Sequence, residues 1–312
     1  MSTQISSPST PPTPKSEPQA SPTAGRWLGS LGLLGPAGIW LGLLLVLPTL
    51  VLFELSLVPG LEPGGLVNPS GLENYLRVFE PVNLSVMKRS LFFAGGTTVI
   101  CLLLGFPVAY WIALLAPTKW RNLLLVGFVL PLWTSSLLRT YAWITILRYS
   151  GVLNTLLTSP NPWLSNLGLP TIPRLELLND WPAVLIGMSY GYLPYMVLIL
   201  YASLEKLDRR LLEAASDLGA NPIQTFVQVT VPQTMPGIAA ASLLVFITGL
   251  GDFVDPELLG GDSTMTISRL IYNQFLKTNQ WGFGSALSMV LIMLVSIAIA
   301  LLLKFGDRNA AS

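Results

Sequence analysis

The amino-acid sequence predicts an all-α integral membrane protein with six transmembrane helices and one polar helix-turn-helix between the fourth and fifth. Three observations carry this. Charged residues make up 11% of 312 positions and hydrophobic residues 52%, with a mean hydropathy of +0.61; soluble domains carry about 25% charge. The apolar residues fall into long charge-free runs, each close to the about 20 residues that a helical span needs. Within the runs the apolar character is uniform and does not alternate. That argues against barrel strands and leaves helices to satisfy the backbone polar groups in lipid.

Residues 1–24 are rich in Ser, Thr, Pro and Gln and hold almost no large apolar group. They cannot bury enough surface to offset chain entropy, so a disordered tail is expected ahead of one membrane domain at 25–312. The tail lacks the basic start and small-residue cleavage site of a signal peptide, so the first apolar run is expected to be retained. Trp27 to Phe53 is free of charge and places the first span at 36–58, bent by Pro48, with Glu54 near its far end. Later runs place spans at 91–115, 122–147, 183–203, 236–254 and 284–304. The third of these contains Arg139, and Lys119 and Arg121 form a basic turn before it.

Glu213 to Pro232, within a loop region at 204–235, is the longest polar interruption that still reads as folded. Asp208 can accept from the orphan amides of a first helical turn. Leu211, Leu212, Ala215 and Leu218 then share one helix face. Gly219 stands where a helix end needs a residue tolerant of positive φ. Asn221-Pro222 restarts the chain as an N-cap followed by a proline at the first helical position. Phe226 and Val229 carry the second apolar face, and Pro232 is expected to end it. Such a hairpin either packs on its own protein or docks a partner. With both termini cytoplasmic, nine basic residues fall inside and seven outside, and the short basic turn at 116–121 favours the same orientation.

Several function classes are excluded. The chain has no histidine, which removes Ser-His and Cys-His catalysis and most zinc sites. Cys101 is a single cysteine inside an apolar run, so no internal disulfide is possible. No Gly-rich loop ending in Lys-Ser or Lys-Thr is present, so the chain cannot cradle ATP. A net charge of +1 gives no reason to expect nucleic acid. Gly187-Met188-Ser189-Tyr190-Gly191 has the G-x-S-x-G pattern, but it falls inside a span of a protein without a histidine base. Small residues packing helices together is the better account. Gly249-Leu250-Gly251-Asp252 resembles the G-x-G-D of intramembrane aspartyl proteases, yet no other span centre offers a second Asp to share the proton. No catalytic residue, cofactor or metal ligand is therefore assigned.

The remaining ionisable groups in or near the spans are the informative ones. Arg139 either faces a cavity or partner group or reaches the outer interface. Asp252 ends an apolar span, with Asp255 and Glu257 close behind it, and Glu54 ends the first span. Acids in such places line a polar path or else cap and solvate an outer loop. Trp133, Tyr141, Tyr190, Tyr192 and Tyr195 are the neighbouring aromatics, and their faces suit a cation if the acids form a path.

Glu213-Ala214-Ala215, Gly219, Val229, Val231 and Pro232 keep the full spacing of the EAA loop found in ABC importer permeases of the binding-protein-dependent family. Two valines stand where that loop usually has Ile and Leu. The resemblance implies a cytoplasmic coupling loop seated in a groove of a partner ATPase dimer. There Glu213 would meet a basic group, Ala214 and Ala215 would permit close approach, Gly219 would make the turn, and Pro232 would close the motif. The run Pro131 to Trp143 and the segment Gly251-Asp252-Phe253-Val254-Asp255-Pro256-Glu257 resemble the polyamine-type permeases, closest to the spermidine/putrescine permeases of the B type. The resemblance covers about residues 30–305. It implies a multi-pass protein of the bacterial inner membrane. Its implied partners are a second permease subunit, the ATPases, a periplasmic substrate-binding protein, membrane lipid and a polyamine substrate. Another cargo of the same importer class (iron(III), a phosphonate or another amine) is the alternative. A membrane hydrolase built on Ser189 or Asp252 is the alternative from a different class.

Overall fold

The structure, a computed structural model, describes residues 24–61, 63–65, 71–158 and 174–310. The tail expected at 1–24 lies outside the described residues apart from Ala24. Among the described residues the regular elements are all helical. The chain falls into two compact units, divided after Leu50. The first contributes the N-terminal part of α1 (Ala24–Ser56), whose Gly38–Ser56 segment is long and apolar enough to span. The remaining elements belong to the second unit. They are α2 (Glu73–Val78), α3 (Pro81–Leu115), α4 (Thr118–Val129), α5 (Ser136–Leu147), α6 (Val152–Thr158), α7 (Trp181–Leu204), α8 (Arg209–Asp217), α9 (Pro222–Gly251), α10 (Val254–Leu258), α11 (Ile267–Leu276) and α12 (Trp281–Ala310).

Five helices are long and apolar enough to cross a membrane, and a sixth span forms if a bent pair counts as one. That pair is the correction to the third expected span. Residues 122–147 do not make one straight helix: Thr118–Trp133 and Ser136–Leu157 meet at 92°. Pro131 lacks the amide that would continue the ladder. The Pro131 carbonyl instead accepts from the Thr134 amide at 3.3 Å and the Thr134 hydroxyl at 2.7 Å. Thr134 and Ser135 take extended backbone, with ψ of 145° and 136°. A short hydroxyl side chain thus competes with the helix for its own backbone.

Pro232 brings a second correction. It does not end the second hairpin helix, because α9 continues through it to Gly251. Phe226–Thr230 forms a π-turn, in which the Val231 amide bonds back to the Phe226 carbonyl. The wider turn shifts the hydrogen-bond register just before the proline and lets the helix pass.

The core of the second unit lies between α3, α7 and α9. Phe106, Ile112, Met196, Leu200, Leu204 and Val245 are buried there together. Cys101 is buried in the same cluster, as a small core residue. The opposite helix faces carry exposed Val99, Leu103, Leu104, Ile297 and Leu301. Apolar side chains on both faces of long helices suit a lipid surround, where nothing favours a polar exterior. In the segment after α1, the buried Asn74 side chain donates to the Ser56 and Val58 carbonyls at 2.9 and 3.0 Å. Arg77 donates to Gln280 at 2.9 Å and stacks over Phe283.

Candidate functional site

Two places in the second unit carry the residues singled out from the sequence. The first is the hairpin of α8 and the start of α9. Asp208 accepts from the Arg210 amide at 3.0 Å and opens α8. The turn has Gly219 at φ +84°, and the Ala220 amide bonds to the Ala215 carbonyl at 3.0 Å. Asn221 and Gln224 then form a reciprocal capping box at 2.8 and 2.9 Å. Glu213 and Ala214 are exposed, Ala215 is half-buried, and Pro232 is exposed on α9. Leu218 and Ile223, on either side of the turn, are 90% and 75% exposed. Phe226 does the opposite: it packs edge-on against Phe106 and Tyr110, with ring centroids 5.4 and 5.7 Å away. Arg209 and Arg121 both donate to the Ala113 carbonyl, at 3.3 and 2.9 Å, in the π-turn that ends α3. The hairpin is therefore seated on α3 by one aromatic and one arginine, and it presents an apolar tip flanked by an acid.

The second place is a recess of about 190 Å³ where α5 and α7 meet the chain leaving α9. Asp252, Asp255, Tyr192, Tyr195, Ser136 and Arg139 line it. Asp252 follows the last residue of α9, and one of its oxygens accepts from the Val254 amide at 2.9 Å, opening α10. Its other oxygen accepts from the Tyr192 hydroxyl at 3.0 Å. Asp255 accepts from the Thr140 hydroxyl at 2.6 Å. Gly187 on α7 makes this possible: a Cβ there would lie 2.3 Å from Leu259 and 3.6 Å from the Asp255 carboxyl carbon. The G-x-S-x-G run is thus a packing element, and its glycine lets α10 lie against α7. Both aspartates lie past Gly251, where the span ends. Burial raises both carboxyls above the usual carboxylate range, and the charge of Asp252 adds to the rise at Asp255.

The recess gathers Asp252, Asp255 and Tyr192, but not the other acids and aromatics picked out with them. Glu257 pairs with Arg269 and, at 2.7 Å, with Lys277. Burial alone would raise its carboxyl; hydrogen bonds from Lys277 and Arg269 outweigh that and hold it below the ordinary value. Arg269 also donates to the Gly261 carbonyl at 2.8 Å and the Pro256 carbonyl at 3.3 Å, so Glu257 belongs to a clamp that fixes α10 to α11. Trp133 and Tyr141 are 81% and 55% exposed and do not line the recess, and Glu54 is exposed near the end of α1.

Ser136 and Thr140 are functional candidates that the sequence reading did not single out, and Tyr195 was named only among the nearby aromatics. Ser136 and Thr140 are four residues apart on α5, and Tyr192 and Tyr195 three apart on α7, so helical spacing alone puts each pair on one face. The fact that those faces meet the same two acids was not in the sequence. Chemically, the recess presents oxygen acceptors and aromatic faces to a cation. The Ser189 hydroxyl of the G-x-S-x-G run is buried outside the recess, without a hydrogen-bond partner.

The chain is similar to the spermidine/putrescine transport system permease protein PotB of Haemophilus influenzae, at 40% identity over 83% of this chain and 88% of that protein. To the protein of that name in Escherichia coli K12 it is 38% identical, over 83% of this chain and 91% of the relative. The inner membrane ABC transporter permease protein YdcU of E. coli K12 is 31% identical over 89% of this chain and 90% of its own length. Among solved structures, a bacterial ABC transporter involved in import of the acidic polysaccharide alginate matches with a TM-score of 0.68, covering 91% of this chain and 96% of that one. At 19% identity this shares the fold alone. The family model described as binding-protein-dependent transport system inner membrane component matches residues 41–305. With that match spanning most of the chain, and with relatives at 38–40% identity, the protein belongs to the family of inner-membrane permease components of binding-protein-dependent ABC transport systems.

Proposed function

We propose that this chain is one permease subunit of an ATP-driven importer that carries polyamines, spermidine and putrescine among them, across the bacterial inner membrane. The observation that carries the cargo is the recess in which Asp252, Asp255 and two tyrosines converge. A polyamine is a flexible polycation. To cross a low-dielectric path its ammonium groups need carboxylates, and its charged and methylene groups gain from aromatic faces. The names of the relatives agree with that chemistry.

A periplasmic binding protein delivers cargo to the outer loops, and a second permease supplies the other half of the path. The α8–α9 hairpin faces the cytoplasm, which places both termini there, and docks on the ATPase dimer. Glu213 meets a basic group on the ATPase, Ala214 and Ala215 allow close approach, Gly219 shapes the turn, and Pro232 marks the base of the motif. Leu218 and Ile223 supply the apolar contact. ATP binding moves the hairpin as a rigid body, and the bundle alternates its access without covalent chemistry. Asp252, Asp255 and Tyr192 receive the cargo, while Glu257 holds the clamp that keeps α10 in place.

Uptake of radiolabelled spermidine and putrescine by cells lacking the gene tests this. Uptake is expected to be lost and to return when the gene is restored. Unchanged polyamine uptake in the deletion strain, with no other polyamine importer expressed, would remove the cargo assignment and leave the family membership standing.

A further inference from the structure

The recess holds, besides its acids, a positive charge that a cation carrier would not obviously want. Arg139 lines the same recess as Asp252 and Asp255. No ion pair within 4.0 Å joins it to either carboxylate; the three pairs among the described residues lie elsewhere. One guanidinium nitrogen donates to the Pro131 carbonyl at 3.0 Å. That is the carbonyl on which Thr134 folds back, at the bend between the two halves of the broken helix. Arg139 is thus tied to the bend and held off, while its charge still acts on Asp255.

We propose that Arg139 is a fixed counter-charge that limits how tightly the recess holds a polycation, and so sets the rate at which cargo leaves. The proposal rests on the polyamine reading above. Conduction through a binding site requires an affinity high enough to fill it and low enough to empty it. Two carboxylates in a low-dielectric recess would hold an ammonium strongly. A guanidinium paired to them directly would block the site. A guanidinium tethered a short distance away leaves carboxylate oxygens open to the ammonium and opposes it by repulsion. The bend supplies the tether, so the broken helix and the tuned charge are two consequences of one sequence run, Pro131 to Arg139.

The test uses the whole complex of both permeases and the ATPases in lipid nanodiscs, without binding protein. Equilibrium binding of radiolabelled spermidine is measured together with uptake by the same complex in proteoliposomes. Arg139→Gln, with Arg139→Met as a second neutral variant, is expected to bind spermidine about tenfold more tightly while turning over more slowly. Arg139→Lys keeps the charge and is expected to bind within about threefold of the parent complex. Unchanged or weaker binding in the neutral variants overturns the proposal. So does failure of both neutral variants to assemble while Arg139→Lys assembles, which assigns Arg139 to the bend alone. Asp252→Asn in the same assay separates the two readings. If it leaves binding unchanged, the cargo site itself is wrong. If it weakens binding while Arg139→Gln fails to tighten it, only the role of Arg139 is wrong.

Discussion

Gly219→Val is expected to abolish uptake while leaving the complex assembled in the membrane. The position sits at φ +84°, a conformation a β-branched residue adopts only with strain, at a cost of about 1–3 kcal/mol. A Cβ there would meet no atom within 4 Å, so the damage is confined to the backbone of the turn. The turn sets the angle between α8 and α9 and presents Leu218 and Ile223. Reshaping it moves the surface proposed to enter the ATPase and leaves the buried contacts of α3, α7 and α9 untouched. Gly219→Ala should lie between the two, because it adds a Cβ without the β-branch. The check is uptake beside the yield of assembled complex and the ATPase rate. Normal uptake in the valine variant would count against the hairpin as the coupling element.

Arg269→Leu is expected to give the largest loss of stability. Arg269 is buried, and it holds the Glu257 carboxylate and the Pro256 and Gly261 carbonyls at once. Breaking a fully buried ion pair costs about 3–5 kcal/mol, and the cost here is smaller, because Glu257 is only partly buried and its charge stays in reach of water. Lys277 softens that here by keeping one bond to Glu257. A double variant, Glu257→Leu with Arg269→Leu, should recover part of the loss, since no charge is then stranded. The pH dependence follows from the lowered carboxyl of Glu257. A depressed folded-state value means that the clamp contributes fully above the ordinary carboxylate range. Its contribution is lost as pH falls through the lower, folded value. The thermal stability of the purified complex should therefore fall on acidification in the parent chain, and show less of that acid dependence in Arg269→Leu. Equal melting of parent and variant would mean that the clamp contributes little.

The hairpin was legible in the sequence nearly residue by residue. Asp208, Gly219 and Asn221 each do in the structure what their local chemistry required, because capping and positive φ are decided within a few residues. The spans were legible for a similar reason: charge-free length is a property of a continuous segment. What failed were one proline read as a simple stop and one passed over inside a straight span. Pro232 passes through the helix because a π-turn precedes it, and Pro131 turns the chain by 92° because Thr134 folds back on its carbonyl. Both outcomes depend on how neighbouring backbone groups are satisfied, and composition does not show that. The recess was half legible. Asp252 stood out as an acid ending an apolar run, and Asp255 and Tyr192 were candidates beside it. Glu257 looked equivalent in sequence, yet Arg269 and Lys277, many residues later, take it out of the recess. Trp133 and Tyr141 were read from composition and turned outward. Long-range pairing decided the case of Glu257.

The most direct measurement of the central claim is spermidine uptake by the complete importer in proteoliposomes, comparing the parent chain with Asp252→Asn. Asparagine keeps the size of the side chain and can still accept from the Val254 amide, so α10 keeps its cap and only the charge is removed. A carboxylate that meets a cation in a low-dielectric recess contributes enough that its loss should lower uptake about tenfold or more at equal ATPase content. Uptake equal to that of the parent complex would contradict the assignment of the Asp252–Asp255 recess as the place where this permease receives its polycation.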